Sequence, residues 1–118
     1  MSIKIKNLWG MIDQNYRSGN KKWFVSRLIE KAKDLPVKEM DMCALNIYNI
    51  CPSIESMHDF VSHMKKVLDA DLEYPIILDD EGYVMDGRHR IAKAILEGKD
   101  SIKYVRFDET PTPDAIVD

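Results

Sequence analysis

The chain has 118 residues, of which 45% are hydrophobic and 31% charged, and its formal charge is −3. This length fits one domain, and the composition excludes the apolar-poor class of disordered chains. The net negative charge argues against binding to nucleic acid through bulk positive charge. The sequence has no apolar stretch of about 20 residues and no apolar signal segment at its start, so we predict a cytoplasmic protein without membrane contact.

The two cysteines, Cys43 and Cys51, are eight positions apart, without a CxxC pair and without a nearby pair of histidines. Neither a zinc site nor a disulfide framework is therefore predicted. In a reducing compartment we expect both to be buried or incidental thiols.

The first 34 residues are predicted to form a helical hairpin that packs on the rest of the chain. A first amphipathic helix is indicated by apolar residues at spacings of three and four, namely Ile5, Leu8, Trp9, Ile12 and Tyr16. Ser-Gly-Asn at 18–20 ends it, and a second helix is predicted over residues 21–34, before Pro36. We expect Trp9, Tyr16 and Trp23 in the hairpin core; exposure of any of them would favour a protein partner bound through these helices.

The middle of the chain predicts a short edge strand and a helix. Residues 37–42 are mixed in polarity and follow a proline, which favours a strand at a sheet edge, whereas residues 43–52 have no clear pattern. Ser56 and Asp59 have the spacing of a capping box at the start of an apolar helical pattern that runs to residue 69. His58, Lys65 and Lys66 are expected on the exposed face of this helix.

The last half of the chain has the clearest pattern. Residues 74–78 and 83–85 are apolar on both sides of a polar turn, which predicts a β-hairpin. A helix follows over residues 88–97, ended by Gly98, and a strand over residues 102–107. Residues 108–118 are expected to run irregularly over the surface. We therefore predict an α+β domain made of the helical hairpin (1–34), a core with a small mixed sheet (35–107) and a tail (108–118).

The segment that carries the chemistry is Asp-Gly-Arg-His-Arg at 86–90. Gly87 permits a sharp turn from strand to helix, after which the first helical N–H groups point outward unpaired and attract anions. Arg88 and Arg90 can hold phosphate oxygens in a bidentate way, and His89 can donate a hydrogen bond or carry a proton. An alternative remains open, in which Gly87 only forms the turn, the arginines pair with Asp86, Asp80 or Glu109, and His89 is a core residue.

These residues resemble the ParB/sulfiredoxin-like superfamily. The similarity covers about residues 35–107 and includes Pro-Ile-Ile-Leu at 75–78, Asp80, Gly82, Tyr83, the signature at 86–90 with the Ile-Ala-Lys-Ala that follows it, and Gly98. Asp-Gly-x-His-Arg is similar to the nucleotide-binding motif of ParB N-terminal domains, sulfiredoxins and free-serine kinases of this fold. The resemblance implies that Gly87 and Arg90 hold the phosphates of ATP, ADP or CTP, with His89 beside them.

Three differences from that family reduce the number of functions that we expect for this chain. The catalytic cysteine of sulfiredoxins is replaced by Arg88, so we do not expect a sulfinic-acid reductase. ParB proteins carry further DNA-binding and dimerisation domains, whereas this chain ends eleven residues after Phe107, so we do not expect centromere-type DNA recognition by this chain alone. Asp86 matches the essential aspartate of the serine kinases, but their second acidic residue has no counterpart around Asn46 and Ile47.

Two classes of function follow. In the first, the protein catalyses phosphoryl transfer or nucleotide hydrolysis: Arg88 and Arg90 neutralise charge, while Asp86 and His89 serve as catalytic groups. Asp86 would accept a proton or hold Mg²⁺, with possible help from four other carboxylates: Asp41, Glu55, Asp79 and Asp80.

In the second class, a non-catalytic module binds a nucleotide and regulates a protein partner or a nucleic acid. Any nucleic-acid contact would depend on Arg88, Arg90 and Lys93. A nuclease is not indicated, because the sequence has no cluster of acids at two-metal spacing.

Overall fold

The computed structural model describes residues 15–47 and 54–116, which form an α+β fold with two sheets and three α-helices. The strands are β1 (Asn15–Ser18), β2 (Lys21–Phe24), β3 (Lys38–Asp41), β4 (Ile76–Leu78), β5 (Val84–Asp86), β6 (Ser101–Arg106) and β7 (Ala115–Ile116). The helices are α1 (Val25–Ala32), α2 (Met57–Asp69) and α3 (Arg88–Leu96), and a 3₁₀ turn covers Met42–Ala44.

The smaller sheet has the strand order β1-β2-β7 and replaces much of the predicted helical hairpin. β1 and β2 are antiparallel, and Tyr16 pairs with Trp23 across them with ring centroids 5.6 Å apart. Gly19, with φ of 62°, lies in the turn between the strands. The helix prediction was therefore wrong for Tyr16 and for residues 21–24. It was correct for α1, whereas residues 1–14, with most of the predicted first helix and Trp9, lie outside the described residues.

The larger sheet has the strand order β3-β6-β4-β5. β4 and β5 form the predicted antiparallel hairpin, while β4 and β6 are parallel and are connected through β5 and α3. β3 pairs only with β6 among the described strands, which confirms the expected edge position. The predicted helix over residues 56–69 is also confirmed, and the Ser56 hydroxyl caps it by accepting a hydrogen bond from the Asp59 N–H at 3.1 Å.

The larger sheet is buried on both faces, which explains the continuous apolar run of β4. Ile77 packs toward α1 and the β1–β2 hairpin, in a cluster with Trp23, Leu28, Ala32, Met85, Val105 and Phe107. Ile76 and Leu78 point to the opposite side, in a cluster with Leu45, Ile91, Ala94 and Ile102. Since neighbouring side chains of a strand alternate between faces, one strand joins the two apolar clusters. Trp23 is in the core, as expected.

Residues 108–114 of the C-terminal segment form no helix or strand, as predicted, but Ala115–Ile116 form β7, which the prediction of an irregular tail missed. β7 pairs with β2, and the Asp114 carboxylate accepts a hydrogen bond from the Phe24 N–H at 2.8 Å. The Trp23 indole N–H donates to the Pro111 carbonyl at 2.8 Å. The tail therefore completes the smaller sheet and covers Trp23.

Two further expectations concern the cysteines and the membrane. Cys43 is an exposed free thiol, which excludes the buried alternative for it and agrees with the incidental one, and Cys51 lies outside the described residues. Among the helices of residues 15–47 and 54–116, none is long and apolar enough to cross a bilayer.

Candidate functional site

Gly87 forms a tight joint between β5 and α3. Its φ of 114° is a backbone conformation that residues with a Cβ avoid. A methyl group at this position would also lie 2.8 Å from the Cβ of Ile76 and closer still to its Cγ2. Both the backbone angle and the contact with β4 therefore require glycine, so the start of α3 lies directly on the sheet.

Arg90 stabilises this connection between β5 and α3 through partly buried hydrogen bonds. Its Nη2 donates a hydrogen bond to Asp86 Oδ2 at 3.0 Å, and its Nη1 donates to the carbonyl of Pro75. The side chains of Arg90 and Asp86 are only 20% and 11% exposed. The alternative in which an arginine of this segment pairs with Asp86 is therefore observed for Arg90. Its guanidinium group links α3 to the end of β5 and to Pro75, the residue before β4.

A cleft of about 230 Å³ lies beside the same joint. It is lined by Asp86, Gly87, Arg88 and His89, by Val84 and Met85 of β5, and by residues of β1 and the start of α1: Asn15, Tyr16, Arg17 and Val25. Arg90 is not among the lining residues. The cations of the cleft are Arg88 and Arg17, and neither takes part in an ion pair found among the described residues.

The first residues of α3, Arg88 and His89, line this cleft. The first helical hydrogen bond runs from the Ile91 N–H to the Gly87 carbonyl at 3.0 Å, and Gly87 has no side chain to cap the earlier amides. The N–H groups of the first residues of a helix have no partner within the helix and attract negative charge. Amides and two guanidinium groups thus border one small cleft, which is an arrangement suited to an anion such as a phosphate group.

His89 lies between the cleft and α2. Its ring centroid is 4.8 Å from that of His63 on α2, with the planes inclined by 51°. Burial, and then the neighbouring His63, Lys66, Arg88 and Arg90, lower the pKa of His89 to about 4. Burial and the charges of Arg88 and Lys66 also lower the pKa of His63. With this pKa the His89 imidazole is uncharged at neutral pH, so it can donate or accept a hydrogen bond in the cleft but supplies no positive charge to it.

The remaining predicted carboxylates do not reach the cleft. None of Asp41, Glu55, Asp79 and Asp80 is among its lining residues. Asp79 instead orders the β4–β5 turn, where its Oδ1 accepts hydrogen bonds from the N–H groups of Glu81 and Tyr83 at 2.9 and 2.8 Å. Asp86 is the one carboxylate of the set that borders the cleft, through its position at the end of β5.

Sequence reasoning missed the contribution of the β1–β2 hairpin to the site. Arg17 stands next to Ser-Gly-Asn, a turn signal. This turn separates Tyr16, which has polar neighbours on both sides, from Trp23, which follows two lysines, and such a pattern is typical of a hairpin. That signal could have placed Arg17 on a strand. Nothing local in the sequence indicates that this strand lies beside α3, because that contact depends on tertiary packing.

No group of three or more His, Cys, Asp or Glu side chains in residues 15–47 and 54–116 is arranged to hold a metal ion. Comparison with known proteins finds no matching family model, no matching curated protein and no matching solved structure. The function is therefore argued from the site.

Proposed function

We propose that this chain is a nucleotide-binding domain of the ParB/sulfiredoxin-like type, which holds phosphate groups in the cleft at the start of α3. The observation that carries the proposal is the convergence of Arg88, Arg17 and the first amides of α3 on one cleft. The order of β4, β5, α3 and β6, with the Asp-Gly-Arg-His-Arg segment between β5 and α3, also supports it.

The proposal gives Arg17, Arg88 and Arg90 two different roles. Arg88 and Arg17 contact the phosphates, since they line the cleft and form no ion pair among the described residues. Arg90 is a positioning residue, because its guanidinium group is bonded to Asp86 and Pro75. Mg²⁺ would arrive with the nucleotide, held mainly by phosphate oxygens and water, with Asp86 as the protein ligand at the edge of the cleft.

A thermal-shift panel with ATP, ADP and CTP, each with Mg²⁺, tests the proposal. At a ligand concentration 100 times the Kd, binding stabilises the native state by about 2.7 kcal/mol, and we expect a rise in Tm of about 10 °C. Arg88→Ala and Arg17→Ala should each weaken binding at least about tenfold, because each removes a charge-assisted hydrogen bond.

The matched control is Lys99→Ala, which removes one positive charge beyond the opposite end of α3. If no nucleotide raises the Tm, or if Lys99→Ala lowers the effect as much as Arg88→Ala does, the cleft is not a phosphate site.

A second candidate is a nucleotide-binding module without turnover that regulates a protein partner. It is favoured by the ion pair of Asp86 with Arg90. This pair occupies one oxygen of Asp86, the only carboxylate that lines the cleft among residues 15–47 and 54–116. Exposed apolar residues of α2, among them Met57 (76% exposed) and Leu68 (60% exposed), offer a surface for a protein. Nucleic acid is less favoured as a partner, since Lys93 and Arg90 are both engaged inside the fold.

Turnover separates the two candidates. Incubation with ATP or CTP, Mg²⁺ and free serine should release nucleoside diphosphate if the protein is a phosphotransferase or hydrolase. That release should be lost in Asp86→Asn, provided that the variant still binds the nucleotide. Binding without any release of diphosphate would establish the regulatory candidate.

A further inference from the structure

A second cleft shares Tyr16 with the cleft at the start of α3 and differs from it in size and charge. Its volume is about 550 Å³, and it is formed by the β1–β2 hairpin, the β4–β5 turn and the C-terminal segment. Tyr16 lines both clefts. The two clefts are therefore neighbours.

The sizes of the two clefts assign different parts of a ligand to them. Sites for small organic molecules commonly measure about 300 to 1,000 Å³. The second cleft, at about 550 Å³, lies within that range, whereas the cleft at α3, at about 230 Å³, is smaller. A whole nucleotide therefore does not fit beside α3, and the remainder of the molecule needs a neighbouring space.

The charges of the two clefts also assign the phosphates to the α3 cleft and the rest of the ligand to the second cleft. The α3 cleft contains Arg17 and Arg88, and its carboxylate, Asp86, is paired with Arg90. Among the described residues, the second cleft is lined by three acidic side chains, Asp79, Asp80 and Glu81, and by one basic side chain, Lys21. Carboxylates repel phosphate and accept hydrogen bonds from hydroxyl and amino groups. The phosphates of a bound molecule are thus directed toward α3, and its hydrogen-bond donors toward the second cleft.

Aromatic rings supply the flat apolar surface that a base requires. Tyr83, at the end of the β4–β5 turn, is 42% exposed and lines the second cleft together with Tyr16 and Trp23. The Asp79 carboxylate fixes this turn through its bond to the Tyr83 N–H at 2.8 Å, and the Thr110 hydroxyl accepts a hydrogen bond from the Asp80 N–H at 3.0 Å. The ring of Tyr83 is therefore presented by an ordered turn.

We infer that the second cleft binds the nucleoside part of the nucleotide. The base lies against Tyr83, and the hydroxyl groups of the sugar or the amino group of the base point toward Asp80 and Glu81. This inference rests on the proposed phosphate site and adds the position of the base and sugar. It assigns a binding role to the β4–β5 turn and to the C-terminal segment.

Calorimetric titration with inorganic pyrophosphate and with ADP, GDP, CDP and UDP tests the inference on the full chain. At least one nucleoside diphosphate should bind about tenfold or more tightly than pyrophosphate, because stacking of a base on an aromatic ring adds affinity. Tyr83→Ala should remove that advantage and leave the affinity for pyrophosphate unchanged. Tyr83→Phe should retain it, and Arg88→Ala should weaken pyrophosphate and nucleotides by the same factor.

The outcomes distinguish the two proposals. If pyrophosphate binds and no nucleoside diphosphate binds more tightly, or if Tyr83→Ala retains the advantage, the nucleoside cleft is refuted and the phosphate site stands. If neither pyrophosphate nor any nucleotide binds, the phosphate site is refuted, and the inference fails with it. Circular dichroism of Tyr83→Ala at the titration temperature confirms that the variant is folded.

Discussion

Arg90 and Asp86 form an ion pair across the strand-to-helix joint, with Nη2 and Oδ2 3.0 Å apart and both side chains largely buried. The two residues are four positions apart, but they belong to different elements, since Asp86 ends β5 and Arg90 lies in the first turn of α3. The pair therefore fixes the direction in which α3 leaves the sheet, and with it the position of Arg88 at the cleft.

The first prediction concerns the two arginines. Arg90→Ala should lower the unfolding free energy by about 1 to 3 kcal/mol, because it leaves a largely buried carboxylate without its partner. Arg88→Ala should change it by less than about 0.5 kcal/mol, since Arg88 is exposed. Urea denaturation of both variants measures the difference, and equal destabilisation would contradict the division of roles.

The second prediction concerns Gly87. Gly87→Ala should cost about 2 to 5 kcal/mol, because it combines an unfavourable positive φ with overpacking against Ile76. Gly82→Ala is the matched control: its φ is 91°, but nothing lies within 4 Å of the added methyl group, so only the backbone term applies. Thermal unfolding should show a clearly lower Tm for Gly87→Ala, and a similar Tm for the two variants would show that the contact with Ile76 is unimportant.

The third prediction concerns pH. The pKa of His89 is about 4 in the folded protein against an ordinary value of 6.5, so the unfolded chain takes up a proton at higher pH than the native state does. The contribution of His89 to stability is therefore complete above pH 6.5 and is lost as the pH falls toward 4. Lowering of the pKa of His63 acts in the same direction.

Urea midpoints measured between pH 4 and 7 test this dependence. His89→Gln should show a shallower loss of stability on acidification, whereas His58→Gln, on the exposed side of α2, should follow the parent protein. An identical slope in His89→Gln and the parent protein would rule out His89 as the source.

The fourth prediction concerns the C-terminal segment. The Asp114 side chain is 5% exposed, accepts the bond from the Phe24 N–H and pairs with Arg27 at 3.6 Å. Asp114→Ala should destabilise the protein by about 1 to 3 kcal/mol, because it leaves the partly buried Phe24 amide without its partner. Hydrogen exchange should become faster at Phe24, while exchange in β4 should show only the global change. Unchanged protection at Phe24 would mean that the carboxylate does not hold the segment.

The elements around the signature could be predicted because several local signals agree there. The apolar runs of β4 and β5 are separated by a turn ending in Gly82, and α3 begins at a glycine and ends at Gly98, which has a φ of 69°. The strand-turn-strand-helix-strand order followed from these signals. For Arg90 the sequence offered three acidic partners, Asp86, Asp80 and Glu109. It did not single out Asp86, because a spacing of four residues across the start of a helix does not fix a contact.

The β1–β2 hairpin was missed because its sequence pattern fits a helix as well as a hairpin. Tyr16 and Trp23 are seven positions apart, a spacing that two helical turns and a tight hairpin both place on one side. The helical interpretation was chosen, and with it Arg17 was overlooked. β7 has two residues and is defined by its pairing with β2, so its own sequence contains too little pattern to indicate a strand.

The central claim is that a negative group binds at the first turn of α3, and backbone amide NMR tests it most directly. On titration with pyrophosphate, the ¹H–¹⁵N signals of residues 87–90 and of Arg17 should move together with one binding curve. The same signals should respond far less in Arg88→Ala. Signals that move elsewhere in the chain while those of residues 87–90 stay fixed would contradict the account.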